Sequence, residues 1–348
     1  MLRRLCWALI VMLALGCDAP IRVSPPDLPP PEPLALMPEP APLDLPVAAV
    51  FYEDIAYGPD TRHRLDLLLP ADLAPGERVP LVLYAHGGGF THGGKHTAYV
   101  GSVPNDIRRY LAARVAFGAV NYRLLARADR DGVAKPMRDV ARAVQFLRAH
   151  AAQLQLDPER FAMQGVSAGA GTALWLGAHE DLADAWSDDL IARQSTRLRA
   201  VALSSTQATY DVLAWDPVVF PDWSVDVLHL AELVGGEAVV RSFYGVDDLA
   251  ALESDAVIAY RHDVDMLAWI SADDAPVWVG NYQDRASYPL SWDSLLHHAH
   301  HARAVYDAAN AAGLEVVAYV PALGLSPETP ETRAEFLLRH LLGQGAQP

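Results

Sequence analysis

Ser167 stands at the centre of Gly165-Val166-Ser167-Ala168-Gly169, with a glycine two residues away on either side. An apolar run at 160–164 precedes the motif, and an apolar, helix-forming stretch at 168–180 follows it. A serine at such a strand-to-helix junction sits in a turn too tight for neighbouring side chains, which is why the flanking positions are glycine. Its hydroxyl then projects above the sheet, beside a helix N-terminus that favours developing negative charge. That is the placement required of an acyl-transfer nucleophile. The plainer alternative is a serine that only caps its helix.

A second group lies upstream. His86-Gly87-Gly88-Gly89-Phe90 directly follows the apolar run 80–85. Consecutive glycines let backbone N–H groups turn inward together with no side chain in the way. Gly87, Gly88 and Gly89, with the N–H of Ala168, could then surround the oxyanion of a tetrahedral intermediate. A glycine-rich stretch is often just a turn, but two such motifs, each placed after a strand, make coincidence a poor account.

These residues need a scaffold, and the chain from Val50 onward supplies its pattern. Short apolar runs at 50–56, 63–69, 80–85, 115–121, 160–164, 199–205, 276–281 and 314–320 predict strands. Amphipathic or apolar stretches at 136–153, 168–180, 294–312 and 328–342 predict helices. The later strands are continuously apolar, as expected of strands covered on both faces, so the fold class is α/β with a doubly wound, mostly parallel sheet. The stretch 206–270, irregular and rich in Trp, Asp and Val, reads as an inserted cap between two core strands. About 300 residues are ample for one such core.

Four segments together carry a family resemblance: His86–Phe90, Asn121-Tyr122-Arg123-Leu124, Asp157-Pro158-Glu159-Arg160 and Gly165–Ala170. The chain resembles the carboxylesterase branch of the α/β-hydrolases, which includes the hormone-sensitive-lipase-like and xylan-acetyl or feruloyl esterase-like enzymes. The resemblance spans about residue 50 to the C-terminus. It implies hydrolysis of small carboxylic esters through an acyl-enzyme on Ser167, with neither metal nor organic cofactor. It also implies that His86 braces the oxyanion loop. The acid should follow the strand after the cap; Asp284 is the best placed and Asp293 is the alternative, each also readable as an ordinary loop or helix-start carboxylate.

The histidine departs from the pattern. It should follow the last core strand, yet no histidine occurs between His301 and His340. Without a base the serine hydroxyl stays protonated and is a weak nucleophile. Three readings follow. The base can be relocated to His297 or His298, within Asp293-Ser-Leu-Leu-His297-His298-Ala-His300-His301. The protein can be a catalytically degenerate hydrolase fold that binds a ligand or partner. Or His297 and His301, spaced i and i+4, can chelate a metal, although no second ligand group stands out and the expected metal count is none. A merely His-rich helix surface is the background to all three. His92 and His96 could line the pocket mouth or be surface loop residues; Trp215, Trp223, Trp269 and Trp292 could form an apolar site or simply pack the cap.

The ends of the chain and its charge bound the setting. Residues 1–16 carry Arg3 and Arg4, an apolar run and small residues before Cys17, the pattern of a secretory signal peptide. A cysteine at this place resembles a lipidation site, so an exported protein of the bacterial cell envelope, held to the membrane through lipidated Cys17, is expected. Residues 17–49 then form a linker, with eleven prolines between 18 and 46 favouring an extended spacer, and 50–348 the α/β-hydrolase-like domain that the resemblance implies. Cys6 and Cys17 are the two cysteines, so the domain has no disulfide framework. A net charge of −16 with no basic cluster excludes nucleic acid as a partner and leaves a small-molecule ester; the oligomeric state is not encoded in any pattern found.

Overall fold

The computed structural model describes residues 25–126, 129–223, 226–233, 235–283 and 286–343. Eight strands form one sheet: β1 (Ala49–Ala56), β2 (Arg64–Pro70), β3 (Val79–Ala85), β4 (Ala116–Val120), β5 (Leu156–Val166), β6 (Val201–Ser204), β7 (Val277–Gly280) and β8 (Val316–Tyr319). Their spatial order is β1-β2-β4-β3-β5-β6-β7-β8. β1, β2 and β4 pair antiparallel, and every pair from β4 across to β8 is parallel. All eight predicted strands are present.

Alternation hidden inside the apolar runs divides the core in two. Leu81 and Leu83 of β3 face one side with Leu203, Val277 and Val279, under helices α2 (Ala134–Ala149), α3 (Ala168–Ala178) and α9 (Ala299–Ala312). Val82 and Tyr84 face the other side with Phe117, Ala202 and Trp278, under α1 (Val103–Ala112) and α10 (Arg333–Leu342). α3 is apolar around its whole circumference and every residue in it is buried. A helix without a polar face belongs in the middle of a molecule. It therefore fixes the position of the residue just before it, Ser167.

Three features differ from expectation. The stretch between β6 and β7 is not irregular: it carries the short helices α4 (Val227–Leu233), α5 (Glu237–Tyr244), α6 (Asp255–Asp263) and α7 (Met266–Trp269). The helix expected over 294–312 is broken. A short α8 (Trp292–Leu296) ends at His297, and His298, with ψ of 142°, is extended before α9 begins. The proline-rich segment, from Pro26 on, does not stand off as a spacer but lies along the domain. The Pro26 carbonyl accepts from Arg193, Leu34 exchanges two hydrogen bonds with the Gln153 side chain, Glu39 bridges to Phe51, and Arg108 donates to the Asp44 carbonyl. Proline removes N–H donors but leaves carbonyls, and side chains of the domain capture several of them. Residues 1–24, with Cys17 and the signal-like segment, lie outside the described residues.

Candidate active site

Ser167 leaves β5 with φ of 52° and ψ of −121°, a conformation that non-glycine residues rarely adopt and that costs on the order of 1–3 kcal/mol. Close packing of the turn enforces it. A Cβ on Gly165 would come within 2.2 Å of the Gly169 carbonyl oxygen, and one on Gly169 within 2.1 Å of the Ala85 oxygen. The Ser167 N–H donates to the Ser204 carbonyl at the end of β6, anchoring the turn to the sheet. Behind it, the Tyr210 hydroxyl donates to the Ala168 carbonyl at 3.0 Å.

The glycine loop after β3 lies against this turn. Gly87 passes so near Ser167 that a Cβ would meet the Val166 oxygen at 2.9 Å, and Gly88, at φ of 113°, would meet the His92 oxygen at 2.2 Å. The N–H groups of Gly88, Gly89 and Ala168 donate to no acceptor among the described residues. Buried or pocket-lining donors normally have partners. Three such groups without an acceptor lie on the loop and turn beside the serine hydroxyl.

His86 holds that loop from beneath. It is fully buried and stacks on Tyr122 at 4.2 Å between ring centroids. Its Nδ1 bonds to the Gly87 carbonyl at 2.7 Å, the Tyr122 hydroxyl donates to the His86 carbonyl at 2.7 Å, and Arg62 lies 3.4 Å from its Nε2. Burial, with the Arg62 charge beside it, pushes the imidazole down to about 4, so it stays neutral. Nδ1–H then donates to Gly87 and Nε2 faces the guanidinium. His92 lines the cavity, whereas His96 packs against Gly94 away from it.

The opposite wall comes from α8 and the break after it. His297 Nε2 is 2.7 Å from Ser167 Oγ, and its Nδ1 is 2.9 Å from Asp293 Oδ1. Asp293 and His297 are one helical turn apart, so a single short helix presents both on one face. Three consecutive carbonyls at the end of α8 are caught by buried side chains. Leu295 O accepts from His301 Nε2 at 3.0 Å, Leu296 O from Gln207 at 2.8 Å, and His297 O from Asn281 at 2.8 Å. A five-residue helix has almost no stability of its own. These clamps hold it, and with it the imidazole of His297.

The remaining histidines of the cluster have separate tasks. His298, the other candidate base, is buried and turned away from Ser167. Its Nδ1 accepts from the His300 N–H, capping α9, and its Nε2 bonds to the Ser287 carbonyl. His301 has both nitrogens occupied, by the Ala208 N–H and the Leu295 carbonyl, and burial lowers its pKa to about 3. The helix break therefore separates His297 from His301, and the i, i+4 chelating pair expected of an unbroken helix does not form. His300 stacks on Trp223. Asp284 lies outside the described residues; Asp293 is 84% exposed, and among the described residues its carboxylate is the one that bonds to His297.

Together these groups line a cavity of about 710 Å3, with Val239 and Phe243 of α5 and Trp292 as its apolar walls. Of the four tryptophans considered in the sequence, Trp292 lines it and also packs where a Cβ on Gly236 would stand. Trp215 is buried in the core, Trp223 stacks on Phe220, and Trp269 packs on His179. Asn281, Gln207 and Arg62 had no signal of their own in the sequence, and Tyr122 stood there only as part of a motif, since each acts through a backbone carbonyl of a distant residue. Among the described residues, no group of three or more His, Cys, Asp or Glu side chains is arranged to hold a metal ion.

Residues 65–217 match the family model described as BD-FAE. That span carries the glycine loop and Ser167 and ends before Asp293 and His297. No curated protein sequence matches the chain. Among solved structures, a bifunctional GH43-CE protein of Bacteroides eggerthii is 19% identical, with 83% of this chain and 38% of that one covered, at a TM-score of 0.59. Esterase B of Lactobacillus rhamnosis is 17% identical, with 79% and 75% covered, at 0.53. A thermophilic esterase of the planctomycete Thermogutta terrifontis is 19% identical, with 77% and 80% covered, at 0.51. The eight-stranded sheet, its strand order and these neighbours make this an α/β-hydrolase fold.

Proposed function

We propose that this chain is a serine carboxylesterase that cleaves small carboxylic esters through an acyl-enzyme. The observation that carries the proposal is the hydrogen-bonded series Ser167 Oγ, His297 Nε2, His297 Nδ1 and Asp293 Oδ1, at 2.7 and 2.9 Å, beside the free N–H groups of the glycine loop. In this reading His297 takes the Ser167 proton as Oγ attacks the ester carbonyl. Asp293 holds the Nδ1–H tautomer and stabilises the imidazolium that forms. The N–H groups of Gly88, Gly89 and Ala168 receive the oxyanion. As the intermediate collapses, His297 gives its proton to the leaving alkoxide. Water, activated by the same imidazole, then releases the acid and restores Ser167.

The reading is tested with a fluorophosphonate probe and a short-chain aryl ester on the purified domain. Labelling and hydrolysis that both vanish in Ser167→Ala are expected. A wild-type protein that neither labels nor turns over any ester would sink the proposal, and leave the catalytically silent binding protein in its place.

The envelope setting is proposed on the sequence of residues 1–17. A lipid on Cys17 would place the domain close to the membrane, because the chain is already docked on the domain at Pro26 and the nine residue-to-residue steps from Cys17 reach at most about 30 Å. Mass spectrometry of the mature N-terminus would find a lipid-modified Cys17; an unmodified cysteine there would refute it.

A further inference from the structure

A second hollow borders the cavity above Ser167, with one residue, Tyr282, common to both. This hollow, of about 720 Å3, is bounded also by Tyr319, Trp278, Arg109 and Arg333. The order of the strands sets these in a line. The glycine loop follows β3, Ser167 follows β5, Tyr282 follows β7 and Tyr319 ends β8. Tyr282 and Tyr319 are 57% and 39% exposed, with ring centroids 5.5 Å apart and planes tilted by 48°. Neither ring serves the core, and together they form an aromatic step beside the cavity.

Chemistry fixes which half of an ester would lie there. In the mechanism proposed above, on which this inference rests, His297 must protonate the departing oxygen, so the alcohol half lies on its side of Ser167. Tyr282 is on that side: it follows Asn281, whose side chain is bonded to the His297 carbonyl. The charged groups of the hollow are already engaged. Arg333 bonds to Asp106, Ser204 and Ser102, Arg109 to Thr332 and Glu335, and Glu331 to Arg339. Paired in this way, neither arginine of the hollow stands free for an anionic group. The polar ends that remain are Asn105, whose Oδ1 already accepts from Arg108, Ser326 and the two tyrosine hydroxyls, and the broad apolar faces left open are the two tyrosine rings.

We propose that this hollow is a leaving-group subsite that takes an aromatic alcohol, its ring packed on Tyr282 and Tyr319. Offset or edge-on packing of aromatic rings adds affinity beyond the area it buries. The subsite is tested apart from turnover by titrating 2-naphthol and methyl β-glucoside into the Ser167→Ala protein by calorimetry. Saturable binding of 2-naphthol, weakened about tenfold by adding Tyr282→Ala or Tyr319→Ala, is expected, with methyl β-glucoside much weaker. Naphthol binding that is absent or indifferent to both tyrosines, or a preference for the glucoside, would overturn the proposal. In the active protein, Tyr319→Ala should lower kcat/KM for 2-naphthyl acetate about tenfold relative to ethyl acetate; an unchanged ratio counts against the subsite while leaving the esterase reading intact. Failure to hydrolyse either ester counts against the esterase reading, and the naphthol titration still decides the subsite.

Discussion

The edge of the site that carries Gly87–Gly89 and Ser167 and the edge that carries Asp293 and His297 meet across one hydrogen bond, yet they are built in opposite ways. On the first edge, adjacent central strands β3 and β5 deliver backbone groups directly, and the buried α3 and His86 hold them from below. On the second, a five-residue helix carries the largely exposed Asp293 and ends at His297, and this turn depends on His301, Gln207 and Asn281 to hold three consecutive carbonyls. Position on the first edge comes from the sheet. On the second it comes from captured carbonyls, so damage there should loosen the geometry before it destroys the fold.

The comparison breaks most sharply at the contact between the edges. Ser167→Ala and His297→Ala should each lower kcat/KM by about four orders of magnitude or more, as for members of one catalytic unit. His298→Ala, one residue along, should cost less than about tenfold in kcat/KM. It removes the bonds to Ser287 and His300 and the packing on Phe220 and Trp223, so its loss should appear mainly in the melting temperature. Equal kinetic losses at 297 and 298 would mean that the helix break does not select the base.

Next comes the first edge alone. Gly88→Ala places a Cβ 2.2 Å from the His92 oxygen at a backbone angle hostile to side chains, so the loop must shift. If that loop receives the oxyanion, kcat should fall by about 10²- to 10³-fold, the effect of losing one such donor. Fluorophosphonate labelling and circular dichroism would check that the protein still folds. A kcat near wild type would place the oxyanion elsewhere.

What the sequence made legible follows the same division. The first edge is written in contiguous motifs, because a backbone that must approach within van der Waals contact leaves glycines at fixed places. Gly165, Gly169, Gly87 and Gly88 are such places, and each would collide with its neighbours if it bore a Cβ. The strands from β3 onward were readable for a related reason, since buried parallel strands must be continuously apolar. The second edge is written in side-chain bonds between distant residues. Neither Asn281 nor Gln207 advertises that it holds a carbonyl of α8, and the break at His297–His298 interrupts a stretch that has no proline or glycine to announce it. The one local sign was Asp293-x-x-x-His297, the i, i+4 spacing of an acid and a base on one turn. The docked proline-rich segment was illegible for a similar reason: its partners are side chains of the domain.

The second edge should give way in smaller steps. Asp293→Asn should reduce kcat by roughly 10- to 100-fold, less than for a buried triad acid, because solvent screens so exposed a carboxylate. Asp284→Asn, at the other candidate acid, should leave kcat within about twofold; the reverse ranking would move the acid to 284. Asn281→Ala frees the His297 carbonyl and should lower kcat about tenfold, in line with about 1–3 kcal/mol for an unpaired buried acceptor. Its signature is a fall in kcat with KM little changed, partly restored in Asn281→Gln, whereas a purely structural role would shift only the melting temperature.

The smallest effect concerns what the two edges share. Each rests on a buried histidine kept neutral by burial, His86 under the glycine loop at about 4 and His301 under α8 at about 3. In the unfolded chain both return to about 6.5. Between that value and their folded values the unfolded state binds more protons than the folded one, so stability rises with pH across the window and falls as pH drops below about 6.5. Each group can contribute a slope of up to about 1.4 kcal/mol per pH unit. His179, raised by its bond to Asp263 although burial opposes it, works the other way, adding stability below its unfolded value, but His150, His298, His300 and His340 are lowered by burial as His86 and His301 are, so it is one group against six. Urea midpoints at pH 7.5, 6.0 and 5.0 should therefore decline steadily. In His301→Gln the decline should be shallower, with activity lost ahead of global unfolding because α8 is released first. A flat profile between pH 6.5 and 5 would mean that neither edge depends on a neutral histidine beneath it.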